Sequence, residues 1–168
     1  TRAAFRFGVP EKAGRVDISF NELLFNPFPD EPDYLELYNC SEKTIDASQL
    51  YLVSINTSGG DTSDIRHVSD EQRCIIPGSF YAVTTDPEKV MSRYFSGGQE
   101  SLFMTSSLPS MPDDKGHLLL LNREMDLIDE VSYSEKMHYS LLSDNEGVSL
   151  EKIRPCMASD ESMNWHSA

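Results

Sequence analysis

Short apolar segments separated by turn residues follow one another from Val16 onward, and no other feature of the sequence constrains the fold as strongly. In residues 16–20, apolar side chains alternate with polar ones, which is the period of a strand with one buried face. The count is about eight short strands, and this is typical of a sandwich or barrel. No helix alternates with the strands, so a parallel α/β sheet is excluded. Further strand-like segments occupy residues 34–38, 50–55, 80–85, 118–121, 127–133 and 148–153.

One short helix interrupts the strands. Asp86 suits the N-cap position, and Pro87 suits the first turn, where a missing N–H costs no hydrogen bond. The glycines at 97–98 mark the end of this helix. The polar segment 56–72 predicts a long exposed loop. Trp165 is the only tryptophan, and we expect its ring to seal a sheet edge or a sheet end.

Three acidic residues lie in segments that are otherwise apolar. Asp129 falls in the same phase as the apolar side chains of 127–133, so either a bulge shifts the register or the carboxylate is buried with a partner. Glu22 and Glu36 lie in two other strands. We interpret both as hydrogen-bonded to backbone or to Lys and Arg, with a functional site as the alternative.

Charge and length exclude several functions. The 168 residues carry 14 Lys and Arg against 28 Asp and Glu, a net charge of −14. Such a surface repels phosphate and anionic membranes, so no nucleic-acid partner is expected. No apolar run approaches the ~20 residues of a transmembrane helix. The length fits one domain. Residues 1–15 have the composition of the end of an upstream domain with a linker, and 16–168 form the sandwich domain.

The cysteines and the N-terminus leave questions open. Cys40, Cys74 and Cys156 are odd in number, so at least one has no partner within the chain. Their spacing matches no zinc or redox motif. We interpret them as buried or half-exposed thiols, and one disulfide stays possible. The chain begins at Thr1 without a methionine or an apolar segment, so a signal peptide is absent or already removed.

An ordered set of segments resembles the lamin-tail domain family. Residues 17–27 (DISFNELLFNP) resemble its opening strand, with Phe20 in place of the isoleucine of an I-N-E core, and 33–39 (DYLELYN) resemble its next strand. At 48–50 the chain has SQL where S-G-W is expected. The set spans Val16 to Ala168 and is similar to variants in large bacterial secreted and surface proteins. The remaining segments are 44–52 (TIDASQLYL), 76–80 (IPGSF), 127–133 (LIDEVSY), 147–153 (GVSLEKI) and 164–165 (NW).

The resemblance implies an all-β, immunoglobulin-like β-sandwich of the lamin-tail type, with about eight strands and one short helix. It also implies a binding or architectural role and supplies no catalytic residues. We therefore predict a non-catalytic binding or structural module of a larger secreted or cell-surface bacterial protein. We expect no enzyme activity, no cofactor and no metal. We expect a protein or carbohydrate ligand, and a monomeric domain within a multidomain chain.

Two other functions are alternatives. In one, the domain is an accessory domain or divergent hydrolase acting on an extracellular polymer, with Glu22, Asp33 and Glu36 as the acidic site. In the other, it is a nuclear-type scaffold that contacts chromatin, which would require a basic patch on the surface.

Other candidate sites have weaker signals. The acidic loop of Asp30, Glu31 and Asp33 offers oxygen ligands to a hard cation, as does the turn 144–147, but neither has EF-hand spacing. We interpret both as solvated. Glu135 lies three residues before a histidine, and no histidines have zinc-site spacing: His67, His117, His138 and His166. Some aromatic residues could stack on sugars or on a partner, although most are expected to pack: Phe28, Tyr34, Tyr38, Tyr51 and Tyr139.

Overall fold

The alternating segments pair into an all-β sandwich with one short helix in the computed structural model, which describes residues 8–55, 62–94 and 102–168. The strands are β1 Ile18–Leu24, β2 Tyr34–Asn39, β3 Ile45–Asp46, β4 Leu50–Ile55, β5 Thr62–His67, β6 Cys74–Ile75, β7 Phe80–Thr84, β8 Leu102–Met104, β9 Lys115–Asn122, β10 Leu127–Ser134, β11 Leu150–Lys152 and β12 Trp165–Ser167. Helix α1 is Pro87–Arg93, and 3-10 turns occupy Ala47–Gln49, Glu135–Met137 and Ser162–Asn164.

Two sheets face each other across one core. The six-stranded sheet has the order β12-β11-β1-β2-β7-β8, and the four-stranded sheet has the order β10-β9-β4-β5. All pairs within them are antiparallel except β7 with β8. Inward side chains such as Leu35 and Leu37 of β2 pack with Leu52 and Leu120 of the opposite sheet. Exposing these apolar faces to water would cost free energy, so the two sheets stay packed as a sandwich.

Helix α1 covers part of the outer face of the six-stranded sheet. Asp86 is its N-cap, with the side chain accepting a 3.2 Å hydrogen bond from the Lys89 amide. Val90 packs with Leu24 and Tyr34 in a small second cluster. The start of the helix agrees with the sequence prediction. The predicted end is wrong: the helix stops at Arg93 with Tyr94 extended, before the glycines at 97–98, which lie outside the described residues.

The described residues contain more strands than the eight predicted, and one strand lies where a loop was expected. Strand β5 falls within the polar segment 56–72 and pairs with β4, with Val53 opposite Ile65. An edge strand of a sheet needs no continuous apolar face, which is why its composition resembled a loop. Strands β3, β6, β8 and β12 have two or three residues each, too few for a periodic pattern.

Residues 10–13 contact the sandwich. Pro10 bridges to Thr44, and the Glu11 amide donates to the Thr44 carbonyl over 2.8 Å. Ala13 is buried, and its carbonyl accepts a 3.0 Å hydrogen bond from the side chain of Asn122. The predicted upstream strand at the N-terminus lies largely in residues 1–7, outside the described part. Among the described residues, no helix is long and apolar enough to cross a membrane.

A disulfide joins Cys40, which directly follows β2, to Cys156 in the loop after β11, 116 positions along the chain. Cys74 is free and exposed. The interpretation of all three cysteines as buried or half-exposed thiols is therefore wrong, and the disulfide left possible is present; nothing in the spacing shows that residues 40 and 156 meet. A crosslink that closes so long a loop greatly restricts the unfolded chain.

We expect the double replacement Cys40→Ser/Cys156→Ser to lower the free energy of unfolding by about 2–5 kcal/mol, because the unfolded chain regains its loop entropy. Urea denaturation followed by tryptophan fluorescence measures this change. The matched control is Cys74→Ser, which removes an exposed thiol and should change stability by less than about 0.5 kcal/mol. Equal stability of the double variant and the control would contradict the crosslink.

Candidate functional site

Glu22 and Glu36 lie side by side on the outer face of the six-stranded sheet. They are register partners across β1 and β2, and Glu151 of β11 lies on the other side of Glu22. Three carboxylates therefore form a row across three strands. Like charges that face each other across strands repel, so each needs hydrogen bonds or a proton.

Glu22 is held by two hydroxyl groups. The Tyr34 hydroxyl and the Ser149 hydroxyl each donate to Glu22 Oε1 over 2.5 Å. The sequence predicted hydrogen bonds from backbone or from Lys and Arg, and the structure has neutral side-chain donors instead. Burial, followed by the Glu22 charge, raises the pKa of the Tyr34 hydroxyl. The proton therefore stays on the tyrosine, which acts as a donor to Glu22.

Glu36 has a weaker set of partners. Its Oε1 accepts a 2.8 Å hydrogen bond from Asn21, whose own side-chain oxygen has no hydrogen-bond partner among the described atoms. Burial raises the pKa of Glu36 to about 7, and the charges of Glu22 and Glu151 act in the same direction, against the Asn21 hydrogen bond. Glu22 and Glu36 thus form a pair of acids in two different environments, an arrangement that general acid–base chemistry uses.

Asp33, the third acid of the predicted hydrolase site, belongs to a different surface. It immediately precedes β2 and lines a cleft against the loop 106–112. Burial raises its pKa to about 7, and the charge of Asp113 adds to the effect. The structure therefore joins Glu22 with Glu36 and separates Asp33 from both. The register of β1 with β2 brings Glu22 and Glu36 together. Asp33 lies one residue before β2 and so is not part of that pairing.

The acidic loop before β2 is in contact with helix α1. Arg93 pairs with Glu31 over 2.7 Å, and its guanidinium lies 4.4 Å from the Phe28 ring centroid. Lys89 donates to the Asp30 carbonyl over 2.7 Å. These contacts fasten the helix to the loop. Phe28, proposed as an exposed aromatic residue, is half-buried beneath this arginine.

The histidines do not come together. His138 is buried beside Phe25, and its Nδ1 lies 3.1 Å from the Ser167 hydroxyl. Burial lowers the pKa of His138, which favours the neutral ring. Within 8–55, 62–94 and 102–168, no group of three or more His, Cys, Asp or Glu residues is placed to hold a metal ion.

The aromatic candidates fall into packed and exposed sets. Tyr34 is buried, whereas Tyr38 and Tyr51 are partly exposed and stack on neighbouring rings, those of Phe80 and His67. Tyr139 is exposed by 63%, although its amide donates to the Ser167 hydroxyl of β12 over 2.9 Å. Packing thus accounts for most of this set, as the sequence predicted.

The most heavily hydrogen-bonded charge was not predicted from the sequence. Lys152 of β11 is only 4% exposed. Its Nζ lies 2.6 Å from the Ser19 hydroxyl, 2.9 Å from that of Ser159, 2.9 Å from the Pro155 carbonyl and 2.5 Å from the Met157 carbonyl. A buried ammonium requires such a shell to replace its water. Burial lowers the pKa of Lys152 to about 8, against the charges of two nearby aspartates.

Asp129 completes this network from the opposite sheet. Its Oδ2 accepts hydrogen bonds from the Phe20 amide at 2.8 Å, from Ser19 at 3.1 Å and from Ser159 at 2.5 Å. The two serine hydroxyls thus connect the ammonium of Lys152 to the carboxylate. A register shift between Leu127 and Asp129 also occurs, so both explanations offered for this residue are correct. No local sequence pattern predicts this network, because its residues lie far apart in the chain.

Ser19 beside Lys152 has the geometry of a serine–lysine pair, but the site is closed. Ser19 is 4% exposed and Ser159 is 2% exposed, and Trp165 donates to the Ser159 carbonyl over 2.9 Å. A nucleophile must be reachable by its substrate, so this arrangement is structural.

No protein-family model matches the chain, and no curated protein is found as a relative.

We expect Glu36→Gln to raise the free energy of unfolding at about pH 8 by up to about 3 kcal/mol, since one pKa unit corresponds to about 1.4 kcal/mol. The raised pKa means that the folded state holds a proton that the unfolded state releases between the usual pKa of 4.5 and about 7. The stability that protonation of Glu36 provides is therefore complete below this range and falls as the pH rises through it.

Urea denaturation of both proteins across this pH range tests the expectation, with the two curves converging at the acidic end. The control variant is Glu42→Gln, which makes the same substitution at an exposed residue. A Glu36→Gln offset that stays constant from acid to alkaline pH would show that the carboxyl does not titrate differently in the folded state.

We expect Lys152→Met to lower the free energy of unfolding by about 3–5 kcal/mol, because it leaves Asp129 as a charge without its counterion network. Two carbonyls of the loop 153–164 also lose their donor. The control is Lys136→Met, which removes an exposed ammonium. Denaturation midpoints measure both changes. Similar midpoints for the two variants would refute the structural role of Lys152.

Proposed function

We propose that this chain is a non-catalytic binding or structural module of a larger secreted or cell-surface bacterial protein, of the lamin-tail type. The all-β sandwich with one short helix agrees with that family's architecture. The ordered motif set of 16–168 supports the same assignment, as do the matching positions of the strands β1, β2, β10 and β11.

One observation carries the proposal: the disulfide and the Lys152 network both fasten the loop 153–164 to the sheets. Disulfides persist in oxidising compartments, so the crosslink supports a position outside the cytoplasm. Lys152 and Ser159, which are 4% and 2% exposed, are among the buried polar residues that anchor this loop. Such a module stays folded where chaperones and ATP are absent, as a spacer or ligand-binding domain on a cell surface must.

A hydrolase is the second candidate, favoured by the pair Glu22 and Glu36. An acid with a pKa near 7 beside a hydroxyl-bonded carboxylate could in principle serve as a general acid with its base. In that case the substrate would lie on the outer face of β1 and β2. The row of carboxylates and its neutral donors would then be a reaction centre.

Two measurements test the proposal: the first tests the location of the domain, and the second distinguishes the two candidates. On cells that make the full parent protein, a membrane-impermeant biotin reagent should label the domain, and denaturing maleimide treatment should modify one of its three cysteines. Purified protein should hydrolyse none of a panel of glycosides, esters, phosphate esters and polysaccharides. Turnover that is lost in Glu22→Gln and in Glu36→Gln, but not in Glu42→Gln, would overturn the non-catalytic assignment.

A further inference from the structure

An open cleft of about 450 Å³ lies between the start of β2 and the loop 106–112. Asp33 forms one side of it, with Thr85 beside the carboxylate. Three serines of the loop form the other side: Ser106, Ser107 and Ser110. The cleft therefore places one half-buried acid opposite a loop wall in which the three serines stand among apolar residues: Leu108, Pro109, Met111 and Pro112.

The backbone on both sides of Asp33 is fixed. The Thr84 hydroxyl, fully buried, donates to the Asp33 carbonyl over 2.8 Å. Pro32 precedes Asp33, and Tyr34 follows it as the first residue of β2. The side chain of Asp33 therefore extends from a rigid position, and the direction of its carboxylate is set by the sheet.

The opposite wall is anchored as well. The Ser106 amide and hydroxyl donate to the two Asp70 oxygens over 2.7 and 3.1 Å. At the other end, the Pro112 carbonyl accepts a 3.2 Å hydrogen bond from the hydroxyl of Tyr133. Met111 is 5% exposed and packs into the main core. The cleft is preformed, as small-ligand sites usually are.

The Asp33 carboxylate has no donor in this setting. Among the described residues, none donates a hydrogen bond to its oxygens, and no Lys or Arg forms an ion pair with Asp33 or Asp113. Three other partly buried acids, Asp17, Glu31 and Asp64, each have a cationic partner. A half-buried carboxylate without a partner loses hydration that none of the described residues replaces.

We propose that the cleft between Asp33 and residues 106–112 binds a cationic side chain, Lys or Arg, of a partner protein, with Asp33 as the counterion and the serines as hydrogen-bond acceptors. This inference builds on the proposed binding role and names the chemistry of one partner. A guanidinium or ammonium supplies the donors that Asp33 lacks. The net charge of −14 attracts such a partner at long range.

The protonation of Asp33 supports the proposal. The raised pKa of about 7, caused first by burial and then by the Asp113 charge, reports a carboxylate that lacks a stabilising cation. The titratable groups that face Asp33 are Asp113 from the loop and Tyr133 from β10. Neither group carries a positive charge, so a bound cation would be the stabilising charge that lowers the pKa of Asp33. Affinity should fall as the pH drops through 7, because the protonated acid attracts no cation.

The test follows the backbone amide signals of the full chain by NMR at about pH 8, where Asp33 is mostly ionised. The probes are the N-acetyl N-methylamides of arginine and lysine, with that of citrulline as the neutral match for arginine. The cationic probes should cause saturable shifts at Asp33, Thr85 and residues 106–112, and citrulline should not. Binding of n-butylammonium as tight as that of the lysine probe would identify a free amine as the source of the cation.

Three variants make the result decisive. Asp33→Asn should weaken the arginine probe by about tenfold or more, and Asp30→Asn, an equal charge change in the neighbouring loop, should not. Asp30 is exposed and has a positive φ of 67°, which asparagine tolerates. Ser110→Lys places an ammonium on the wall and should block the probe while leaving Asp33 intact. Preserved dispersion of the amide signals confirms that each variant is folded.

The proposal is overturned if citrulline binds as well as arginine, if Asp33→Asn binds the probes unchanged, or if no probe gives a saturable shift. Those results would leave the extracellular module in place, because they report neither hydrolysis nor location. Conversely, hydrolysis dependent on Glu22 and Glu36 would overturn the non-catalytic role without changing the outcome at Asp33. The two proposals therefore fail separately.

Discussion

The ammonium of Lys152, buried between the two sheets, is the interaction on which the C-terminal third of the fold depends. This ammonium donates to the Ser19 hydroxyl in β1 and to two carbonyls in the loop 153–164. Serine hydroxyls that accept from Lys152 donate in turn to Asp129 in β10. One charge thus links both sheets to a loop without regular structure. If it were absent, burying that loop would leave unpaired carbonyls.

Other contacts converge on the same loop. The disulfide fixes Cys156 within it, and Asn164 bonds the backbone of Arg154 in both directions, accepting at 3.0 Å and donating at 3.0 Å. Trp165 then covers the network and starts edge strand β12. Because these contacts share one segment, their effects on stability should not add independently. The disulfide, the ammonium of Lys152 and the ring of Trp165 together hold this loop against the sheets.

The sequence predicted the layers well and the short elements poorly. Alternation along residues 16–20 and 34–38 identified β1 and β2, and the Asp86–Pro87 start located α1, because each depends on local periodicity or capping. Strand β5 was missed because an edge strand with Asp64 and Arg66 satisfies its polar side chains in solvent and with each other. The short strands β3, β8 and β12 are fixed by their partners and have too few residues for a periodic pattern, whereas the three-residue strand β11 lies within the predicted segment 148–153.

The candidate sites depended on contacts between distant segments. Glu22 and Glu36 could be suspected because acids in apolar strands stand out, but their pairing follows from a bulge between Phe20 and Glu22 that the sequence does not mark. Lys152 occupied a position that alternation makes inward, and this was the one available signal for its burial. Its partners Ser19 and Asp129 are far away in the chain, and only the fold brings them together.

Asp33 and Glu36 are three positions apart in the chain, but their surroundings differ. Glu36 lies within β2, where its neighbours are the strands on either side, and its pKa is raised first by burial and then by the neighbouring carboxylates. Asp33 lies one residue before the strand, where its neighbours come from a loop that begins at residue 106. Glu36 accepts one hydrogen bond from the sheet, donated by Asn21 of β1, whereas none of the described residues donates to Asp33 beside its open cleft. This difference in donors is the basis on which we propose that Asp33, and not Glu36, binds a partner.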